Sequence, residues 1–253
     1  MSRPFIAGNW KMNTDSRSSA SLAAGISAGC SDAAGKAVDV VLCPPFVYLG
    51  TVAKALSGTR ILLGGQDLYT EQEGAFTGEI SAAMLKDTGC VYVLCGHSER
   101  RHVIGESDQL INRKVAAAIN GGLVPIFCVG EKIEQRQSGK TNDVVTAQLK
   151  EGLADLSEEK VAEIIIAYEP VWAIGTGLTA TPAQAQEVHW LIRELLVRKV
   201  GKQSAQQIRI LYGGSAKPDN AADLMAEADI DGLLVGGASL KADDFLRIIM
   251  AST

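Results

Sequence analysis

Eight short runs of aliphatic and β-branched residues recur along the whole chain, and stretches with helical periodicity separate them. Each run has the length of a single β-strand. The runs cover Phe5 to Trp10, Asp39 to Cys43, Ile61 to Gln66, Val91 to His97, Leu123 to Gly130, Ile164 to Glu169, Ile208 to Gly213 and Gly232 to Gly236. Because these strands are apolar along their length and alternate with helices, they predict a parallel sheet that is covered on both faces.

Two of the intervening stretches carry clear helix boundaries. Ser107 precedes an amphipathic segment that ends at Gly121-Gly122, so we expect a helix between them. Thr181-Pro182-Ala183-Gln184 combines a threonine N-cap, a proline at the first helical position and a glutamine that completes a capping box. Both patterns are typical of βα units.

Eight βα units in 253 residues predict one (β/α)8 barrel domain over residues 1–253, with a parallel eight-stranded inner barrel. A doubly wound open sheet is the alternative. It is disfavoured because Gly8-Asn9-Trp10-Lys11 follows the first strand, where a dinucleotide-binding fold has GxGxxG. We find no linker or low-complexity tract that divides the chain.

Composition limits the partners of this chain. The net charge of −5 and the lack of a basic stripe argue against nucleic acid or an anionic membrane as the main partner. The five cysteines are odd in number and have no CxxC spacing, so we expect them to be reduced and mostly buried. Since the sequence also has neither a signal-peptide pattern nor a membrane-length apolar run, we predict a soluble cytoplasmic protein.

In a parallel barrel, function is concentrated at the carboxyl ends of the strands. In this chain those ends carry polar groups and glycines, namely Asn9 and Lys11, His97, Glu169, Gly213-Gly214-Ser215, and Gly236-Gly237. One base, one imidazole, one cation and several glycine turns predict a single site for a small phosphorylated ligand.

Glu169 is the most informative of these residues because it ends a fully apolar strand. It is followed by Pro170, an apolar segment around Trp172, and the two glycines Gly175 and Gly177. This pattern predicts a catalytic carboxylate beside a closing lid. The alternative is a surface glutamate beside a small satellite of the core.

The histidines and the cation differ in their expected roles. His97 ends the fourth strand ahead of a short helix whose positive end would favour a neutral, hydrogen-bonding ring. For His102 and His189 we expect a surface or partly packed position. Lys11 offers a point charge for a phosphate or a polarised oxygen, and the Asn9 amide can donate to an oxygen.

The glycine turns predict where the phosphate binds. Backbone N–H groups of Gly175, Ser215 and Gly237, with a short helix near Gly237-Ala238-Ser239, could surround one phosphate group. No cluster has metal-ligand spacing, so we expect no catalytic metal.

Six motifs closely resemble the triosephosphate isomerase family and span nearly the whole chain. They are NWKMN at Asn9 to Asn13, GAFTGEIS at Gly74 to Ser81, GHSERR at Gly96 to Arg101, AYEPVWAIGTG at Ala167 to Gly177, YGGS at Tyr212 to Ser215, and LVGGASL at Leu234 to Leu240. The resemblance implies cofactor-free interconversion of dihydroxyacetone phosphate and D-glyceraldehyde 3-phosphate, a reaction of glycolysis and gluconeogenesis.

The resemblance also implies residue roles, which are taken from the family and not worked out from spacing. Glu169 matches the catalytic base, His97 a neutral electrophile, and Lys11 and Asn9 a substrate-contacting pair. Gly175, Ser215 and Gly237 match phosphate-binding positions, and Gly236 stands beside them in the same motif. A homodimer is implied, with the Gly74–Gly78 loop inserted into the neighbouring subunit, where Thr77 lies near Asn9 and Lys11 and the loop encloses Met12.

Three residues depart from the family pattern: Asp67 where asparagine is usual, Thr14 where glycine is frequent, and Cys95 where an aliphatic or small residue is common. Two other functions are weighed. A class I aldolase would use Lys11 to form a Schiff base. A barrel that only binds other proteins would not need Glu169 and His97 at the same mouth.

Overall fold

The structure is a computed structural model that describes residues 3–30, 37–175 and 177–253. Thr176, in the predicted lid, lies outside the described residues. Within these ranges, no helix combines the length and the apolar character needed to cross a membrane.

Eight parallel strands close into a barrel in sequence order, which confirms the predicted fold class. The strands begin and end within a few residues of the predicted runs. Their bounds are β1 Phe5–Asn9, β2 Asp39–Cys43, β3 Leu62–Gly65, β4 Cys90–Cys95, β5 Val124–Val129, β6 Ile165–Tyr168, β7 Ile210–Tyr212 and β8 Gly232–Val235.

The pairing of β1 with β8 closes the barrel. Phe5 lies opposite Gly232, and the register continues in parallel to Gly8 and Val235. A Cβ atom on Gly232 would lie 2.0 Å from the carbonyl oxygen of Phe5, so a side chain at this position would push the two strands apart. Glycine is therefore required for closure at this point.

Ten α-helices are described around the barrel. They are α1 Ser16–Gly29, α2 Leu49–Ala55, α3 Ala82–Asp87, α4 Asp108–Asn120, α5 Ile133–Gln137, α6 Thr141–Gly152, α7 Glu158–Ala162, α8 Pro182–Ala205, α9 Ala221–Met225 and α10 Ala242–Ala251. A π-helical turn at Arg100–Ile104 and 3₁₀ turns at Phe46–Tyr48, Val171–Ala173 and Gly237–Leu240 lie between these elements.

Both predicted helix starts are confirmed. The Ser107 hydroxyl accepts the N–H of Leu110 at 3.2 Å, at the start of α4. At the start of α8, the Thr181 hydroxyl accepts the N–H of Gln184 at 3.2 Å, and the Gln184 side chain accepts the N–H of Thr181 at 3.0 Å. These bonds satisfy backbone donors that the first helical turn leaves unpaired.

Alternation along the strands divides the core into two layers. Phe5 and Ala7 of β1 belong to an apolar cluster that also includes Ile165, Ala167 and residues of five other strands. Ile6, between them, belongs to the larger cluster shared with the helices. Because successive strand residues point to opposite faces, the first cluster fills the barrel and the second joins it to the helices.

Asp67, one of the departures from the family pattern, lies in a buried ionic cluster beside the barrel. Both of its carboxylate oxygens are 2.7 Å from the Lys114 ammonium, and Arg100 lies 2.8 Å from one of them. Glu106 accepts from Arg100 at 2.6 Å and also pairs with Lys114. Burial raises the pKa of Asp67 to about 6, although Lys114 opposes the rise.

This raised pKa predicts how stability depends on pH. The folded state binds a proton at Asp67 more tightly than the unfolded state, so this carboxyl destabilises the fold as pH rises from about 4 to about 6. We expect Asp67→Asn to remove that effect. We compare the free energy of unfolding of Asp67→Asn with that of wild type at two pH values. The difference, variant minus wild type, should be more positive at pH 7.5 than at pH 4.5 by on the order of 2 kcal/mol.

The measurement is urea unfolding at both pH values and at one protein concentration. Asp87→Asn is the matched control, because Asp87 is exposed. It should change stability equally at the two pH values. An Asp67→Asn difference that does not vary with pH would contradict the raised pKa.

Candidate active site

All eight sequence-predicted site residues line one cavity of about 380 Å³ at the carboxyl ends of the strands. The predicted residues in the lining are Asn9, Lys11, His97, Glu169, Gly175, Ser215, Gly236 and Gly237. Other lining residues include Asn13, Lys217 and Leu240. Residues that are distant in sequence are therefore brought to one mouth, as the barrel prediction requires.

Glu169 lies one residue after β6 and is 2% exposed. Its backbone N–H donates to the carbonyl of Val129 at 2.7 Å, which holds this residue against the end of β5. One carboxylate oxygen lies 2.9 Å from His97 Nε2, and the other accepts the backbone N–H of Ser98 at 2.7 Å. Both oxygens thus have partners inside the protein.

These contacts determine the charge of Glu169. Burial by itself raises the pKa of this carboxyl, but His97 and the N–H of Ser98 outweigh burial and bring the pKa below its ordinary value. The side chain is therefore ionised at neutral pH, despite its burial. An ionised carboxylate is the form that can accept a proton.

His97 donates through Nε2 to Glu169, while its Nδ1 accepts the backbone N–H of Glu99 at 3.3 Å. The hydrogen bond accepted at Nδ1 fits the predicted neutral ring, whereas the Glu99 carboxylate, 3.5 Å from the same Nδ1, favours the protonated ring. Burial lowers the pKa of His97, but the adjacent Glu169 carboxylate raises it more, so the pKa lies above its ordinary value. Since this rise depends on contact with Glu169, it weakens whenever that carboxylate moves away.

Lys11 has an unusual backbone conformation for a lysine, with φ of 52°. Its N–H donates to the Asn9 side chain at 3.0 Å, and its carbonyl accepts from the Gln66 amide at 2.8 Å. Its ammonium lies 2.7 Å from Glu99. The two backbone bonds hold the strained residue so that its side chain reaches the cavity.

The glycine turns leave room for a ligand. A Cβ atom on Gly213 would lie 2.8 Å from Cγ of Glu169, so this position must be glycine for the carboxylate to keep its place. The predicted short helix is present as the 3₁₀ turn Gly237–Leu240. Ser215, Gly236 and Gly237 thus face the cavity from the loops after β7 and β8, a common phosphate-binding arrangement in barrels.

Comparisons with known proteins agree with this geometry. The model of the family described as Triosephosphate isomerase matches residues 4–252. The chain belongs to the triosephosphate isomerase family. A relative named Triosephosphate isomerase from Rhodopirellula baltica is 55% identical over 252 residues, covering 99% of this chain and 98% of that protein.

Two other relatives with the same name are similarly close. The protein from Roseiflexus sp. (strain RS-1) is 53% identical over 249 residues, covering 98% of this chain and 97% of that protein. The protein from Carboxydothermus hydrogenoformans is 53% identical over 252 residues, covering all of both chains. The match therefore extends along the whole barrel and beyond the site motifs.

In this member of the triosephosphate isomerase family, a buried carboxylate anchors the predicted lid. Glu131 is 0% exposed and accepts from Trp172 Nε1 at 2.9 Å and from the Tyr168 hydroxyl at 3.0 Å. Arg136 lies 3.3 Å from the same carboxylate and stacks over the Trp172 ring. Glu131 thus connects the end of β6 to the tip of the lid.

Other predictions are corrected or extended by the structure. His189, expected at the surface or partly packed, is fully buried in α8, and its Nδ1 lies 3.0 Å from the carbonyl of Asp229. Ser98, within the GHSERR motif, is a partner of Glu169 that the sequence pattern does not predict. Cys128 is buried beside the site, and burial raises the pKa of its thiol well above the ordinary value.

The Glu131 anchor predicts the local stability of the lid. Glu131→Gln replaces an acceptor with an amide whose N–H₂ group faces two donors, so the anchor should weaken by about 1–3 kcal/mol. We expect backbone amides of the peptide covering residues 170–175 to exchange hydrogen at least ~10-fold faster, as measured by mass spectrometry. Glu134→Gln, at an exposed position on α5, should leave the exchange unchanged. Equal exchange in both variants would exclude Glu131 as an anchor.

Proposed function

We propose that this chain interconverts dihydroxyacetone phosphate and D-glyceraldehyde 3-phosphate through an enediolate, with Glu169 as base and His97 as electrophile. The observation that carries the proposal is the 2.9 Å contact of Glu169 with His97 at the mouth that Lys11, Ser215 and Gly237 also line. The relatives' shared name, Triosephosphate isomerase, supports the same reaction.

In the proposed reaction, Glu169 takes a proton from the carbon next to the carbonyl. The electron pair of that C–H bond forms the enediolate double bond, and negative charge develops on the carbonyl oxygen. His97 Nε2–H and the Lys11 ammonium stabilise that oxygen. His97 Nε2 gives its proton to that oxygen and takes the proton of the neighbouring hydroxyl, whose oxygen becomes the new carbonyl. Glu169 returns its own proton to the former carbonyl carbon, so the reaction balances and no cofactor is consumed.

The resting contacts of Glu169 have a consequence for this reaction. Since its two oxygens are held by His97 and Ser98, the carboxylate must leave Ser98 to reach a substrate carbon. A substrate carbonyl that accepts from His97 Nε2 takes over the hydrogen bond that Glu169 gives up. Substrate binding therefore releases the base at the position where it is needed.

The phosphate and the lid complete the proposal. Backbone N–H groups of Gly175, Ser215 and Gly237, beside Gly236, would hold the phosphate, and the Asn9 amide would contact the substrate. The segment from Val171 to Gly175 would close over the ligand. Closure excludes water, which strengthens the internal electrostatics and protects an enediolate that can otherwise lose its phosphate.

The aldolase alternative is not favoured by the position of Lys11. A Schiff-base lysine is typically activated by an apolar pocket or by another cation. The Lys11 ammonium instead pairs with Glu99 at 2.7 Å. This contact suits a charged group that stabilises an anion.

The assignment of Glu169 predicts a defined loss of activity. Glu169→Gln should abolish incorporation of solvent deuterium into triose phosphate, because no group remains to move the proton. Glu169→Asp should misplace the carboxylate by roughly 1 Å and lower kcat on the order of 10²-fold. Glu163→Gln, at an exposed glutamate before the same strand, is the matched control and should keep full exchange. Wild-type exchange in Glu169→Gln would refute the assignment.

A homodimer through the Gly74–Gly78 loop is part of the proposal. Large apolar side chains are exposed in segments that follow β1, β3 and β4, with Met12 at 96%, Phe76 at 39% and Val103 at 82% exposure. Exposed apolar groups at one end of a barrel are typical of a protein interface. We also propose a cytoplasmic location, which the five free cysteines support.

If the Gly74–Gly78 loop forms the dimer interface, a charge inserted into that loop should dissociate the dimer. Phe76→Glu should shift the protein from twice the chain mass towards the chain mass in sedimentation velocity, because a buried unpaired carboxylate costs several kcal/mol. Met250→Glu, at a 65% exposed methionine on α10, should remain dimeric. A dimer that tolerates Phe76→Glu would exclude the loop from the interface.

A further inference from the structure

The loop after β7 contains a lysine, Lys217, that has no role in the reaction proposed above. Lys217 is exposed, and it lines the cavity together with Ser215, Gly236 and Gly237. These neighbours are the residues proposed to hold the phosphate, and Lys217 follows one of them, Ser215, by two residues in the same loop. The inference below rests on the proposed function.

The backbone of Lys217 is fixed by the same contacts that shape the Ser215 turn. Its N–H donates to the Asn220 side chain at 2.7 Å, and its carbonyl accepts the N–H groups of Asn220 and Ala221 at 3.2 and 3.1 Å. The Asn220 amide in turn donates to the carbonyl of Ser215 at 3.0 Å. The Cα atom of Lys217 therefore has a fixed position relative to the residues proposed to hold the phosphate. We call those residues, Ser215, Gly236 and Gly237, the phosphate cradle.

The charge of Lys217 is not balanced by an ion pair. Lys11, the other lysine in the cavity lining, pairs with Glu99 at 2.7 Å. Asp219, two residues after Lys217, pairs with Arg247 at 3.2 Å. Among the residues that the structure describes, no carboxylate lies within ion-pair distance of the Lys217 ammonium.

An unpaired lysine charge beside the cavity would attract an anionic ligand. A triose phosphate approaches as an anion of up to two negative charges, whereas the protein carries a net charge of −5. The glycine N–H groups of the cradle offer partial charges only. A cation at the rim compensates for the general repulsion and raises the local concentration of the ligand at the mouth.

We propose that Lys217 is a specificity-determining residue that attracts and holds the phosphate group of the substrate from the rim of the cavity. Its action is confined to the phosphate. It makes no contribution to proton transfer, which Glu169 and His97 carry out in the proposed reaction. Lys217 therefore favours phosphorylated over neutral substrates.

The test compares three variants of the full-length protein. Lys217→Met removes the charge and keeps the length of the side chain, and Lys217→Arg keeps the charge. Lys202→Met is the control for net charge, because Lys202 is exposed in the last turns of α8, at the opposite end of the barrel from the cavity. The substrates are glyceraldehyde 3-phosphate and unphosphorylated glyceraldehyde, and inorganic phosphate is the competitive inhibitor.

We expect Lys217→Met to lower kcat/KM for glyceraldehyde 3-phosphate by roughly 3–10-fold at low ionic strength, and by less than about 2-fold at ~0.5 M salt, where charges are screened. The inhibition constant of inorganic phosphate should rise by a similar factor. Turnover of glyceraldehyde should not change. Lys217→Arg should stay within about 2-fold of wild type, and so should Lys202→Met.

Three results would overturn the inference: equal behaviour of Lys217→Met and Lys202→Met, a loss that does not depend on salt, or an equal loss with unphosphorylated glyceraldehyde. The last result would indicate a structural role for the side chain. Failure of the proposed function looks different, since the wild-type protein would then not isomerise glyceraldehyde 3-phosphate at all.

Discussion

Closure of the sheet between β1 and β8 is the constraint on which the site depends. The eight strands place their carboxyl ends on one rim only when the first strand pairs with the last, and Gly232 permits that pairing by leaving space for the Phe5 carbonyl. Lys11 follows β1, whereas Gly236 and Gly237 follow β8. Lys11 and the glycines proposed to hold the phosphate are therefore neighbours across the seam between β1 and β8.

Three buried carboxylates, one in the cavity and two outside its lining, are each stabilised in a different way. Glu169 relies on a backbone N–H and an imidazole, and Glu131 relies on a tyrosine, a tryptophan and an arginine. Asp67 relies on two cations that it shares with a second carboxylate. Since an unpaired buried carboxylate is costly, these partners decide where the chain tolerates functional acids. Of these three, Glu169 is the one that pairs with His97, which the proposed reaction frees for the substrate carbonyl.

Much of the fold and the site was predictable because periodicity and capping are local. The apolar runs predict all eight strands, and Ser107 and Thr181 predict helix starts that the structure confirms. Strand ends predict which side chains share a mouth. Contacts that depend on distances between elements were not predictable in this way. The burial of His189, the hydrogen bond from Ser98 to Glu169 and the pairing of Asp67 with Lys114 arise from packing between distant elements, which local periodicity and capping do not reveal.

The seam also affects synthesis, because it joins the earliest strand to the latest one. A nascent chain that lacks Gly232–Val235 has two open strand edges and no closed mouth, so Lys11 cannot yet face its glycine neighbours. The protein thus acquires its complete active-site mouth only after the ribosome has released nearly its entire length.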